Sequence, residues 1–195
     1  MHQERARTST EPFSPNSAPR MNGQRRWRHA YCAPVFAARA LALMPFLDLL
    51  PKQRINTRLE VSDKPTLIAE LAAMLATSGE DANAIRAALM AREELGSTGL
   101  GRGVAIPHGR SATLDQPRAA FARLARPIEF GSLDARPVDL VAALLVPSHF
   151  TDQHLQLLAE LAEMFSDAGL TDDLRNAPDA CVLRAKLAEF TAKRS

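Results

Sequence analysis

The sequence predicts an α/β layered domain, and three observations carry that reading. The run 138–146 (VDLVAALLV) is nearly all apolar, as a central strand covered on both faces would be. Helical periodicities precede it over 62–78 and 81–95, and others follow it over 152–166 and 180–191. Helices on both sides of a buried strand need a sheet to pack on, which makes layers.

Each element has a local reason. Ser62-Asp63 followed by Pro65 reads as a helix start, since proline is tolerated in the first turn. Leu67, Leu71, Met74 and Leu75 recur at helical spacing to about Ser78, where Gly79 ends the run. A second helix spans 81–95, with Ile85, Leu89 and Leu95 marking its apolar face. Val104-Ala105-Ile106 reads as a short strand after a glycine loop, and 119–124 as another strand ahead of 138–146, which Pro147 stops. The third helix, 152–166, has an apolar stripe of Leu155, Leu158, Leu161 and Phe165, and 180–191 closes the chain as a fourth.

Composition narrows the class. Of 195 residues 46% are apolar and 24% charged, as in a globular domain, and with 5% aromatics the core must be mostly Leu, Ala, Val and Ile. Charge is unevenly placed. Residues 1–43 carry seven arginines (5, 7, 20, 25, 26, 28 and 39) against Glu4 and Glu11, so within a total of +2 the rest is net acidic by three. That argues against nucleic-acid binding by 44–195. The stretch 1–43 also holds Pro12, Pro15, Pro19 and Pro34 and lacks sustained periodicity. It reads as a basic disordered extension, as sequence upstream of a true start at Met21 or Met44, or as a targeting or nucleic-acid-binding tail. The domain proper is 44–192. Two cysteines, Cys32 and Cys181, make neither a disulfide framework nor a metal set, which fits a reduced cytoplasmic setting. No run approaches the length of a membrane span, so no membrane insertion is expected.

The chemistry concentrates in 96–110 (GSTGLGRGVAIPHGR). Ser97, Thr98, Gly99 and Gly101 are candidates to cradle an anion, because glycine lets backbone N–H groups come close and hydroxyls add donors. Nucleotide-loop readings fail on detail. Gly96 and Gly101 have the P-loop spacing, but Arg102-Gly103 stands where Lys-Ser/Thr should be. Gly99, Gly101 and Gly103 follow a helix rather than a strand. His108, between Pro107 and Gly109, is placed on a turn at the end of a strand. Its neutral imidazole is either a nucleophile or a turn histidine that packs or faces water. Arg92, Arg102 and Arg110 lie within reach in sequence. His154 falls in the first turn of the third helix, at the head of an inward stripe with 158, 161 and 165. A helix N-terminus favours its neutral form, so it is a hydrogen-bond donor to an anion or a core histidine. His149 and His154 are five apart, off a common helical face, and no metal site is expected.

These blocks resemble the IIA proteins of the bacterial phosphoenolpyruvate-dependent phosphotransferase system, of the fructose/mannitol type, and most closely their nitrogen-regulatory branch. The resemblance rests on Arg92-Glu93, then 95–101 and 103–110, on 137–147, and on His154-Leu155-Gln156-Leu157-Leu158, and covers about 44–192. It implies a single type-2 EIIA domain, a mixed β-sheet flanked by α-helices. It implies a phosphotransferase component with His108 as phosphoryl acceptor, His154 as hydrogen-bond donor to the phosphoryl group and Arg92 stabilising its charge. The implied donor is a phosphorylated HPr-like carrier, with no metal or nucleotide cofactor. Regulation of partner proteins by phosphorylation state is the implied role, with transfer of phosphate to a IIB sugar-transport partner as the alternative. Arg102, in the glycine loop, could add positive charge to the carrier interface.

Overall fold

A computed structural model describes residues 45–77 and 82–193. The extension 1–43 and the second helix's first residue, Asp81, therefore lie outside the described residues, as do Ser78 and Gly79 at the expected end of the first helix. Two short 3-10 turns, Phe46–Leu49 and Lys52–Arg54, lead into strand β1 (Ile55–Leu59). Helix α1 (Lys64–Leu75) is capped by Asp63, whose carboxylate accepts from the Thr66 N–H, with Pro65 in the first turn. Helix α2 (Ala82–Glu94) follows. Next come β2 (Gly99–Gly101), β3 (Val104–Ala105), β4 (His108–Ser111), β5 (Arg118–Ile128) and β6 (Val138–Pro147). Helices α3 (Asp152–Ser166), α4 (Ala168–Asn176) and α5 (Ala180–Ala192) complete the chain.

The sheet is mixed. Its order is β1-β5-β6-β3-β2, with β4 also paired to β6. β1 runs parallel to β5, β5 antiparallel to β6, and β3 and β4 both parallel to β6, along the same edge of it. Proline fits between β3 and β4 because it has no N–H to place, while its carbonyl still accepts from the Leu144 N–H at 2.9 Å.

β6 has the burial of a central strand, with only Asp139 partly exposed. Leu140, Ala142, Leu144 and Val146 pack on one face with Leu157 and Leu161 of α3, Leu174 of α4 and Leu183 and Leu187 of α5. Val141, Ala143 and Leu145 pack on the other face with Leu67, Leu71 and Leu75 of α1 and Ile85 and Leu89 of α2. Three layers result, as the alternation of a strand buried on both sides requires.

The structure corrects several expectations. His108 opens a strand rather than sitting in a turn, because 108–111 pair with 144–147 of β6. β1, β2 and α4 were not expected. The exposed Leu95 is beyond the end of α2, and on α3 Leu155 faces solvent while His154, Leu157, Leu161, Met164 and Phe165 form the buried stripe.

Candidate functional site

Partners in a parallel pair share a face. His108 pairs with Leu144 and so faces the α3 side of the sheet, whereas Gly109 pairs with Leu145 and faces α1 and α2. Arg92 comes from the last turn of α2, on the opposite layer, and meets His108 at the sheet edge. His154 comes from the first turn of α3. Three elements thus deliver one side chain each to the same point.

The geometry assigns the tautomer. His108 Nδ1 lies 2.9 Å from the Ile106 carbonyl, which can only accept, so Nδ1 carries the proton. Nε2 is then the lone-pair nitrogen, and the Arg92 Nε–H donates to it at 3.0 Å. Arg92 Nη1 also donates to the Gly96 carbonyl at 3.0 Å, which fixes the guanidinium. His154 stands edge-on to His108, ring centroids 5.2 Å apart with an interplanar angle of 74°. His154 is 6% exposed, and neither ring nitrogen has a hydrogen-bond partner. Buried polar atoms are normally paired, so two orphaned nitrogens on a ring beside another imidazole point to a place for an additional polar group.

Electrostatics keep both rings neutral. Burial pushes the His154 pKa down to about 4, helped by the neighbouring His108, Arg110 and Arg92. Burial likewise holds His108 below the usual imidazole range; the Ile106 bond opposes this and Arg92 adds to it. Arg110, two residues along β4 from His108 and one of the three arginines within reach in sequence, is an exposed cation that acts on both rings.

The glycine loop is occupied with its own construction. Thr98 gives both its N–H and its hydroxyl to the Glu93 carboxylate. Ser97 Oγ donates to the Phe130 carbonyl and accepts from the Gly99 N–H. Gly101 and Gly103, with φ of +88° and +81°, flank Arg102 in the turn between β2 and β3. The Arg102 guanidinium turns to the last carbonyls of α3, Ser166 and Phe165, which ties the loop to that helix. The donors of Ser97, Thr98 and Gly99 are thus taken by the protein's own Phe130 carbonyl, Glu93 carboxylate and Ser97 hydroxyl.

Glu93 is the buried charge that sequence reading passed over as a site residue. The signal was available: 85, 89 and 93 share one helical face, so an acid at 93 falls on the buried stripe of α2.

Residues 48–189 match the family model described as "Phosphoenolpyruvate-dependent sugar phosphotransferase system, EIIA 2", and the chain belongs to this family of phosphotransferase components. Among its relatives are nitrogen regulatory proteins. The one from Bradyrhizobium diazoefficiens is 41% identical over 146 residues, 74% of this chain and 95% of the relative. One from Pseudomonas aeruginosa is 48% identical over 100 residues, 51% of this chain and 65% of that one. The crystal structure of nitrogen regulatory protein IIA-Ntr from Neisseria meningitidis superposes with a TM-score of 0.70 at 40% identity, covering 72% of this chain and 97% of that chain. The fold extends to IIA mannitol from Escherichia coli, with a TM-score of 0.60 at 20% identity over 70% of this chain and 97% of that one. No helix among the described residues is long and apolar enough to cross a membrane.

Proposed function

We propose that this protein takes a phosphoryl group on Nε2 of His108 from a phosphorylated HPr-like carrier, and that its phosphorylation state governs which partner proteins it binds. The observation that carries the reading is the pair of unpartnered nitrogens of buried His154 set against a His108 whose tautomer leaves Nε2 as the nucleophile. The kinship with nitrogen regulatory proteins supports the regulatory half.

The step runs as follows. The Nε2 lone pair attacks phosphorus, the Nε2–P bond forms, and the P–N bond to the donor imidazole breaks with its electron pair staying on the donor nitrogen. His108 keeps its Nδ1 proton on the Ile106 carbonyl, which offsets part of the positive charge the ring acquires. Arg92 holds Nε2 in the resting protein, so its Nε–H must pass from Nε2 to a phosphoryl oxygen as the bond forms. His154, neutral at physiological pH, donates one N–H to a second oxygen without adding a charge that would hold the group too tightly. Positioning and charge stabilisation are most of what phosphoryl transfer asks of a protein.

The test is phosphotransfer from phosphoenolpyruvate through enzyme I and an HPr-like carrier to the wild type and to His108→Ala, read by mobility shift and acid lability. Acid-labile label on the wild type alone is expected. Label on His108→Ala rejects His108 as acceptor, and a wild type left unlabelled beside a labelled control IIA rejects the carrier reading. Onward transfer to a IIB domain would move the function to sugar transport.

A further inference from the structure

Behind the site lies a buried ionic knot that the transfer step does not touch. Glu93 is 7% exposed, and its carboxylate gathers three donors: Lys64 Nζ at 2.9 Å, the Thr98 N–H at 3.1 Å and the Thr98 hydroxyl at 2.5 Å. Lys64 is held in turn over the Phe130 ring, 4.3 Å from its centroid. From Thr98 the bonding continues toward His108. The Thr98 carbonyl accepts from the Ile106 N–H at 3.0 Å, and the Ile106 carbonyl accepts from His108 Nδ1 at 2.9 Å. On its other side Glu93 is the chain neighbour of Arg92, and its own carbonyl takes the Gly96 N–H at 3.1 Å, next to the carbonyl that Arg92 grips. Glu93 thus borders both contacts that define His108: its carboxylate leads through Thr98 and Ile106 to the acceptor on Nδ1, and its main chain adjoins the guanidinium on Nε2.

We infer that Glu93, paired with Lys64, is the positioning residue that sets the His108 tautomer and aims Nε2, acting through Thr98 and Ile106. This rests on His108 being the acceptor. A loop rich in glycine does not hold a peptide plane by itself. A buried carboxylate accepting three hydrogen bonds does, because losing a Thr98 donor leaves a buried carboxylate oxygen under-satisfied. With Lys64 in place, shape alone does not suffice at position 93. Three donors converge on Glu93, and a glutamine amide would turn its NH2 toward one of them, expelling either Lys64 or Thr98.

The experiment compares Glu93→Gln, Thr98→Val and the double variant Lys64→Met/Glu93→Gln with wild type. Each is read by amide-fingerprint NMR for fold, by imidazole 15N NMR for the His108 tautomer, and by steady-state transfer from the phospho-carrier. Glu93→Gln is expected to give a mixed tautomer at His108 and about a tenfold fall in kcat with the KM for the carrier unchanged. Thr98→Val, which keeps volume and removes one donor, should move both readouts in the same direction by about threefold. The double variant removes the donor that clashes with the amide, so a single tautomer and a rate within about threefold of wild type should return. A folded Glu93→Gln with wild-type tautomer and kcat overturns the inference, and so does a double variant no better than the single. Should Glu93→Gln not fold, Thr98→Val decides by the same two readouts. The tautomer measurement needs no phosphate, so a wild type that accepts none would sink the acceptor reading while leaving the role of Glu93 decided on its own data.

Discussion

Gly109 lies against the backbone of Ala88: a Cβ at position 109 would stand 3.0 Å from the Ala88 carbonyl carbon and 3.1 Å from its oxygen. Ala88 is one turn before Arg92 on α2, so this contact sets how closely the arginine approaches His108, the residue before the glycine. Gly109→Ala should push α2 outward by a few tenths of an ångström, with a stability loss of about 1–2 kcal/mol. Transfer should slow severalfold as Arg92 loses its hold on Nε2. Urea unfolding with the phosphotransfer assay checks both, and a variant with wild-type stability and rate refutes the close-packing argument.

Arg92 tests geometry against charge. Its guanidinium bridges His108 Nε2 and the Gly96 carbonyl with two differently directed N–H groups. A lysine keeps the charge but has a single point of attachment. Arg92→Lys should therefore lower the transfer rate by about ten- to a hundredfold while changing stability by less than about 1 kcal/mol. A rate within twofold of wild type would mean that charge alone suffices.

How much of this could be read from the chain depended on how local each signal was. β6 and α3 were legible almost to the residue, because ten apolar-rich residues ending in Pro147 and fifteen with a strong helical period need no distant partner to declare themselves. His108 and His154 were legible as candidates for the same reason, one following a proline and the other heading a helix, and the fold brings their rings 5.2 Å apart. β4 was not, since Pro107 and Gly109 read as a turn and only pairing with β6 makes 108–111 a strand. The loop donors were misjudged in direction. Sequence shows that Ser97 and Thr98 carry hydroxyls, but only the fold shows that Glu93 and the Phe130 carbonyl take them. Arg102 shows the same limit, as its guanidinium caps α3 and does not stand free for a partner.

His154 is a polar group kept buried at a cost. Both ring nitrogens are unpartnered among the described residues. Replacing the ring with an apolar side chain of similar size removes that cost, so His154→Leu should stabilise the protein by about 1 kcal/mol at pH 7. The same change should slow phosphoryl acceptance by about tenfold and shorten the life of the phosphoprotein, because one hydrogen bond to the phosphoryl group is lost. Thermal unfolding and the decay of labelled protein are the measurements. A variant both less stable and equally fast would place His154 in the packing and not in the chemistry.

The same burial makes the fold acid-sensitive in a particular window. A histidine whose folded-state pKa is about 4, against 6.5 when exposed, binds fewer protons folded than unfolded. Its titration therefore adds no further penalty above pH 6.5, and stability is lost as pH falls from there toward 4, by about 2–3 kcal/mol at pH 4.5. His108, shifted in the same direction, adds to the loss. Asp63 and Asp134 are also shifted down, but they titrate below the usual carboxylate range, and Glu160 is shifted up. All three are common to wild type and His154→Leu, so the difference between the two proteins isolates the imidazole. Urea unfolding at pH 7 and pH 4.5 should show the variant losing about 2 kcal/mol less than wild type on acidification. Equal losses in the two proteins would show that His154 takes up its proton in the folded state at no cost, and that the site does not hold it neutral.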